Sequence, residues 1–146
     1  MEISVKTFDE LTASEIYELL QLRSEVFVVE QDCVYQDIDG KDSKALHILG
    51  KKKGKLVAYT RCFPPGIYFN ESAIGRVVVR ERERKFGCGH AIMEASKKAI
   101  KNRFGTETIK LSAQTYLINF YKSHGFTPIG AEYLEDGIPH IAMVTA

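Results

Sequence analysis

The residues best suited to chemistry lie together near the middle of the chain. Val77, Val78 and Val79 precede a charged run, and Arg84-x-x-Gly87-x-Gly89 then opens a segment of helical periodicity. A strand that passes through a glycine turn into a helix presents unpaired backbone N–H groups, which attract anions. Gly87 and Gly89 carry no side chains, so a diphosphate can approach the backbone there, with Arg84 and Lys85 supplying positive charge at the mouth. Paired glycines at a helix start also serve turn geometry alone, and the spacing by itself leaves both uses open. Two familiar phosphate loops are absent. His90-Ala91 follow Gly89, which breaks GxxxxGK, and Ile92 stands where GxGxxG needs its last glycine.

Other reactive side chains form no such pattern. Cys33, Cys62 and Cys88 cannot all pair within one chain and show no CxxC spacing, so free thiols in a reducing cytoplasm are expected. Cys88 sits in the anion loop, where a helix N-terminus favours a thiolate, yet no histidine stands beside it in a nucleophile pattern. A packing role is the better reading of Cys88, and likewise of His124 and His140, which lack metal-ligand spacing. No metal is expected.

These residues need elements to position them. Ile3, Val5 and Thr7 alternate with polar neighbours, which predicts a strand over about residues 2–8. Thr12 or Ser14 caps a helix with Ile16, Leu19, Leu20 and Phe27 on one face, ending near Phe27 or Val28. Residues 30–43 are polar and acid-rich and read as a loop. Strands are predicted over 46–49 and 56–62, joined through a lysine-rich turn with Gly54. A further strand runs over 73–79, where Val77-Val78-Val79 is apolar on both faces, as in a central strand.

Cys88, Ala91, Ile92, Ala95, Ala99 and Ile100 form a helical stripe. A strand over 108–113 and a helix over 117–123 follow, closed by Gly125. The last strand is predicted over 138–144, after the Asp136-Gly137 turn. The order is βα, three strands, then αβαβ, an α/β chain with a mixed sheet flanked by helices.

Val79-x-x-x-x-Arg84-x-x-Gly87-x-Gly89 resembles the acetyl-CoA pyrophosphate motif of the GNAT N-acetyltransferases. Phe120-Tyr121-x-x-x-Gly125-Phe126 is similar to that superfamily's penultimate helix and the turn after it. Two more blocks resemble the ElaA-like branch: Arg23-Ser24-Glu25-Val26-Phe27-Val28-Val29-Glu30-Gln31, and Tyr133-Leu134-Glu135-Asp136-Gly137-Ile138-Pro139-His140-Ile141. Four blocks in order cover nearly the whole chain, which the resemblance makes a single acetyltransferase domain over residues 1–146.

The resemblance implies the GNAT fold, with the strand carrying Val77, Val78 and Val79 splayed from its neighbour to admit the pantetheine arm of acetyl-CoA. Arg84, Lys85, Phe86, Gly87, Cys88, Gly89 and His90 would hold its pyrophosphate. Tyr121 occupies the family position of the general acid, and a phenol is protonated at neutral pH, as that role requires. Two departures stand out. Gln114 replaces a frequent asparagine seven residues before the tyrosine, and Ile74-Gly75-Arg76 offers no carboxylate as base. Glu30, Asp39, Asp42 and His47 are candidates for that base, although a loop salt bridge or hydrogen bond is the better reading of each. Glu30 and Arg76 are placed on the substrate side, where Arg76 either meets an anion or anchors the acidic loop.

The implied reaction is acetyl transfer from acetyl-CoA to a small-molecule or peptide amine, with a catalytically silent CoA-binding module as the alternative. Composition agrees with a soluble enzyme. The 146 residues suit one domain, with 45% hydrophobic and 27% charged residues. Twenty basic against 19 acidic residues leave a net charge of +1, which disfavours nucleic acid and anionic membranes as partners. No apolar run is long enough to span a membrane, and a cytoplasmic location is expected. The acids between Asp32 and Asp42 suit a cationic acceptor by charge, or equally form a calcium-free solvated loop, since they lack the EF-hand register. GNAT enzymes are often dimers, and a homodimer is allowed here, although no exposed apolar stripe marks its interface.

Overall fold

A Thr-x-x-Glu capping box starts the first helix. Thr12 Oγ1 accepts from the Glu15 N–H at 3.1 Å, and the Thr12 N–H donates back to Glu15 Oε1 at 3.0 Å. In the computed structural model, which describes residues 1–145, the elements follow in the order β1 (Glu2–Thr7), α1 (Ala13–Arg23), β2 (Leu46–Lys52), β3 (Lys55–Phe63), β4 (Ser72–Val79), α2 (Cys88–Phe104), β5 (Ile109–Gln114), α3 (Ile118–Lys122), β6 (Phe126–Glu135) and β7 (Ile138–Thr145). The seven strands form one sheet in the order β1-β2-β3-β4-β5-β7-β6, antiparallel at every pairing except the parallel β4–β5. This is the expected mixed sheet flanked by helices.

Helices cover both faces. On one, Ile92, Met93 and Ile100 of α2 meet Ile48, Ala58 and Leu111 of the sheet. On the other, Leu19 and Leu22 of α1 meet Leu49, Tyr59 and Val78. Each fully buried aliphatic side chain contributes roughly 1.5–3 kcal/mol, so both layers are needed to hold the sheet. The β2–β3 hairpin turns through Lys53 and Gly54, both at positive φ (51° and 78°), as a two-residue turn of matching twist requires.

Two elements differ from the sequence expectation. The first helix does not end near Val28: after Arg23 the backbone widens into a π-helical segment, Ser24–Glu30. Its wider bonds run from the N–H of Gln31 to Val26 O (3.1 Å) and of Cys33 to Val28 O (3.0 Å). The run Val26-Phe27-Val28-Val29 carries too little periodicity to reveal that widening. A strand was also missed. β6 is exposed along most of its length and contains Pro128 and Gly130, so it lacks the buried alternation that marks a strand. It pairs with β7 across the turn at Asp136 (φ 52°) and Gly137 (φ 77°).

Glu15 ties this frame together beyond its capping role, accepting from Lys6 Nζ at 2.8 Å and Lys51 Nζ at 3.2 Å. Burial alone would raise its pKa, but the Lys6, Thr12 and Lys51 hydrogen bonds outweigh that and hold it down, from 4.5 to about 2. A depressed carboxylate stabilises the fold above its unfolded value and loses that contribution as pH falls through the folded one. Glu15→Gln is therefore expected to cost roughly 1–3 kcal/mol at neutral pH. The gap from wild type should close between pH 4.5 and about 2, as measured by urea unfolding across that range.

Candidate active site

β4 and β5 pair at only two positions, Ser72 with Ile109 and Ala73 with Lys110, and then separate. The cause is visible on the other side of β4. Tyr59 faces Val78 while Arg61 faces Gly75, so Arg76 and Val77 form a bulge opposite Thr60. Arg76 itself adopts φ 48°, a left-handed conformation that costs a non-glycine residue roughly 1–2 kcal/mol. Past the split, the backbone groups on the free edges of β4 and β5 have no strand partner. The gap is a cavity of about 450 Å³ walled by Gly75–Val79, by Leu111, Ser112 and Gln114, and by Tyr121 and His140.

The anion loop lies beside this gap. Glu81–Phe86 is a 3-10 stretch, Gly87 (φ 76°) turns the chain, and α2 begins at Cys88. A Cβ on Gly87 would meet nothing within 4 Å, so glycine is needed there for its backbone angle and leaves open space in front of the helix N-terminus. A Cβ on Gly89 would lie 3.4 Å from the Phe120 ring, already in contact. Cys88 is 3% exposed and packs in the core, as expected. Lys85 and Phe86 are exposed, with Lys85 Nζ 5.6 Å from the Phe86 ring centroid. His90 Nδ1 meets His124 Nε2 at 2.8 Å, and His124 Nδ1 meets Glu94 Oε1 at 2.7 Å.

Arg84 and Glu30 meet each other. Arg84 Nη1 and Nη2 donate to the two Glu30 carboxylate oxygens at 2.5 and 2.8 Å, and Nε donates to Val79 O at 3.0 Å. This two-point pair ties the π-helical segment to the loop and neutralises both charges. Gln114 is likewise engaged, exchanging amide hydrogen bonds with Gln31 at 3.1 and 3.3 Å. Tyr121 is 5% exposed, and its hydroxyl has no hydrogen-bond partner among the described residues. Burial pushes this phenol well above its ordinary pKa, so it keeps its proton.

The acidic loop turns inward. Arg23 Nε donates to Asp37 Oδ2 at 2.9 Å and Nη1 to Asp42 Oδ1 at 2.7 Å. Arg61 Nη1 reaches Asp39 Oδ1 at 2.9 Å and Asp42 Oδ1 at 3.0 Å. The Arg61 hydrogen bonds hold Asp39 well below the usual carboxylate range; Asp42 is also lowered, because the Arg23 and Arg61 bonds outweigh its burial. Asp37, Asp39 and Asp42 are thus bound to arginines, which corrects the expectation that this loop attracts a cationic acceptor. Arg76 anchors the same loop: Nη2 donates to Asp37 O at 2.9 Å, and Nε lies 2.7 Å from Asp37 Oδ1 as a charge contact, its N–H not directed at the oxygen. His47 holds Tyr59 Oη at 2.6 Å and Asp42 O at 2.9 Å, which leaves neither ring nitrogen for a base.

Ser112, Glu135 and His140 line the cavity and escaped the sequence reading as a group. The Asp136-Gly137 turn carried the signal. A two-residue hairpin fixes the register and sets Glu135 against Ile138, with Tyr133 opposite His140.

A family model described as an acetyltransferase (GNAT) domain matches residues 8–146. Protein ElaA of Escherichia coli K12 is 46% identical over 136 residues, which is 92% of this chain and 89% of that protein. The crystal structure of Escherichia coli ElaA superposes with a TM-score of 0.91 at 42% identity, covering 100% of both chains. An acyl-CoA N-acyltransferase from Pseudomonas aeruginosa gives a TM-score of 0.93 at 40% identity, also over 100% of both. An aminoglycoside 6'-N-acetyltransferase complexed with coenzyme A shares the fold at 17% identity, with a TM-score of 0.72 over 97% of this chain and 96% of that one.

The inward arginines set a stability prediction. Arg61 is 1% exposed, and replacing it by methionine removes the hydrogen-bonded counter-charge of Asp39, which keeps only Arg76 Nη2 at 3.6 Å, and one of the two arginine partners of Asp42. Arg61→Met should cost about 3 kcal/mol in urea unfolding, the lower end for a broken buried pair, because Asp39 keeps 19% of its side chain exposed.

Proposed function

The chain belongs to the GNAT acetyltransferase domain family, and from that premise we propose that it transfers acetyl from acetyl-CoA to a primary amine by direct attack on the thioester. The observation that carries this reading is the β4–β5 split with the unpartnered Tyr121 hydroxyl on its wall. In this reading residues 1–146 act as one acetyltransferase domain.

The residues present fit acetyl-CoA. The first-turn amides of α2, beginning at Cys88, face open space in front of Gly87 and suit a pyrophosphate. The unpaired edge of β4 over Val77, Val78 and Val79 suits the amides of a pantetheine arm. One of its N–H groups would stabilise charge developing on the thioester oxygen, since a fixed donor needs no reorganisation. Arg84 contributes by fixing the loop to Glu30, and Gln114 by positioning Gln31.

Tyr121 serves as the acid. Its phenol donates to the sulfur as the C–S bond breaks and the C–N bond forms, and it recovers a proton from the amide nitrogen. Cys88 is buried in the core, and Cys33 donates its thiol hydrogen to Asp136 O at 3.3 Å, which favours direct attack over an acetyl-cysteine relay. A silent CoA-binding module is the second reading. Arg76 favours it, standing on the central strand where a carboxylate base would serve and already committed to Asp37.

Calorimetric titration should show acetyl-CoA binding that ATP and NAD do not reproduce. Gly89→Val should weaken that binding, because its extra methyls crowd both Phe120 and the bound diphosphate; normal affinity would remove the loop from the site. Tyr121→Phe should lower turnover by about 10²–10⁴-fold with acetyl-CoA affinity retained. Intact-mass measurement after mixing with acetyl-CoA alone should find no acetyl adduct, and an adduct on Cys33 or Cys88 would overturn direct attack.

A further inference from the structure

We propose that His140 and Glu135 form the acceptor-ammonium site, in which Glu135 holds the ammonium group and Nε2 of His140 takes its proton. This deepens the acetyl-transfer reading and rests on it. His140 is 6% exposed, sits on β7 between Gln114 of β5 and Tyr133 of β6, and lines the cavity opened by the β4–β5 split. Its Nδ1 lies 2.7 Å from Ile138 O. A carbonyl can only accept, so Nδ1 carries the hydrogen. In the neutral ring Nε2 is therefore a lone pair, and it faces Glu135 Oε2 at 3.3 Å.

Two acceptors that close repel unless a hydrogen lies between them or a donor bridges both from the side. An imidazolium meets the need from one side; a primary ammonium, with three N–H donors, meets it from the other. Tyr133 stacks on the His140 ring, with centroids 6.2 Å apart and planes 21° from parallel. Ser112 Oγ is hydrogen-bonded to Tyr133 Oη and lies 3.5 Å from Glu135 Oε1. Ring, carboxylate and hydroxyl are thus held in one cluster on the cavity wall.

The surrounding charges favour a cation. The cavity's own cations are already bound to carboxylates: Arg61 to Asp39 and Asp42, Arg76 to Asp37, and Arg84 to Glu30. Around His140, β5 supplies only Ser112 and Gln114, which do not titrate. The β6–β7 hairpin supplies Tyr133, Glu135 and Asp136, and the loop before β2 supplies Cys33 and Tyr35. Among the described residues neither Glu135 nor Asp136 has a lysine or arginine partner.

The protons balance. The ammonium gives one to Nε2, which leaves a free amine whose lone pair forms the C–N bond. The new imidazolium is paired with Glu135, whose side chain is 47% exposed and passes the proton to solvent. The second amine proton returns to Tyr121 after that phenol has protonated the sulfur. Overall, ammonium and thioester give amide, thiol and one released proton.

The probe is n-butylamine, with tetramethylammonium as a cation that cannot donate. Long-range proton–nitrogen NMR of the four histidines should find neutral His140 with its proton on Nδ1. It should also show saturable perturbation by n-butylammonium and none by tetramethylammonium, and Glu135→Gln should weaken that response about tenfold or more. A proton on Nε2, or an equal response to both cations, would overturn the site. In CoA-release assays at high n-butylamine, kcat should rise with pH through one limb. His140→Gln should abolish that limb and lower kcat about 10²-fold, with KM for acetyl-CoA unchanged. A purely packing histidine would shift the melting temperature and leave the limb in place. The NMR arms need no turnover, so absence of acetyl-CoA binding by calorimetry would strike the acetyl-transfer reading and leave the ammonium site to its own result.

Discussion

The departure of β4 from β5 is the constraint on which the site depends. A parallel pair normally runs on for the length of its strands, yet this one ends after two residue pairs. The bulge at Arg76 and Val77 bends β4 away, and it requires a left-handed arginine in mid-strand. Such a conformation persists only where the surroundings over-determine it. Here the surroundings are Asp37, which binds the Arg76 guanidinium, and Tyr35, whose ring centroid lies 5.8 Å from it. The gap that admits a ligand is thereby linked to a loop roughly forty residues earlier in the chain.

That loop is held by the buried arginines. Arg23 is 0% exposed and Arg61 1%, and neither would be tolerated there without Asp37, Asp39 and Asp42 around it. Buried ion pairs of this kind return little net stability, since desolvation offsets most of their attraction. Their effect is geometric. Each guanidinium has fixed donor directions, so three arginines on α1, β3 and β4 define where the loop backbone lies. The same pairing neutralises Arg61 and Arg76 at the cavity, as Glu30 neutralises Arg84, which leaves Glu135 and Asp136 as its carboxylates without an arginine or lysine partner among the described residues.

Much of this frame could be read from the chain. Apolar patterning and turn residues located six strands, Thr12 and Glu15 marked the start of α1, and the glycine pattern marked the start of α2. The missed features share a physical reason: each depends on a partner distant in sequence. β6 is exposed and interrupted by Pro128 and Gly130, and it is a strand because β7 supplies its hydrogen bonds. The acids of residues 37–42 read as a solvated, amine-attracting loop because nothing local says that Arg23 and Arg61 lie beneath them. Arg76 could be placed on the central strand but not assigned to Asp37. His140 read as packing, and it does pack against Tyr133; its second face emerges only once the hairpin register sets Glu135 beside it.

The two faces of the sheet then divide the proposed reaction. Strand alternation sends Leu111 and Ala113 of β5 into the core beneath α2, while Ser112 and Gln114 stay partly exposed on the opposite side. The anion loop and Tyr121 belong to the first side, with Phe126, Ile141 and Met143 of the β6–β7 hairpin; the inward acidic loop and His140, opposite Gln114, belong to the second. An intact sheet would separate a thioester bound along one side from an amine held on the other. The split removes that barrier at one place, so cosubstrate and acceptor meet only where a strand has given up its partner.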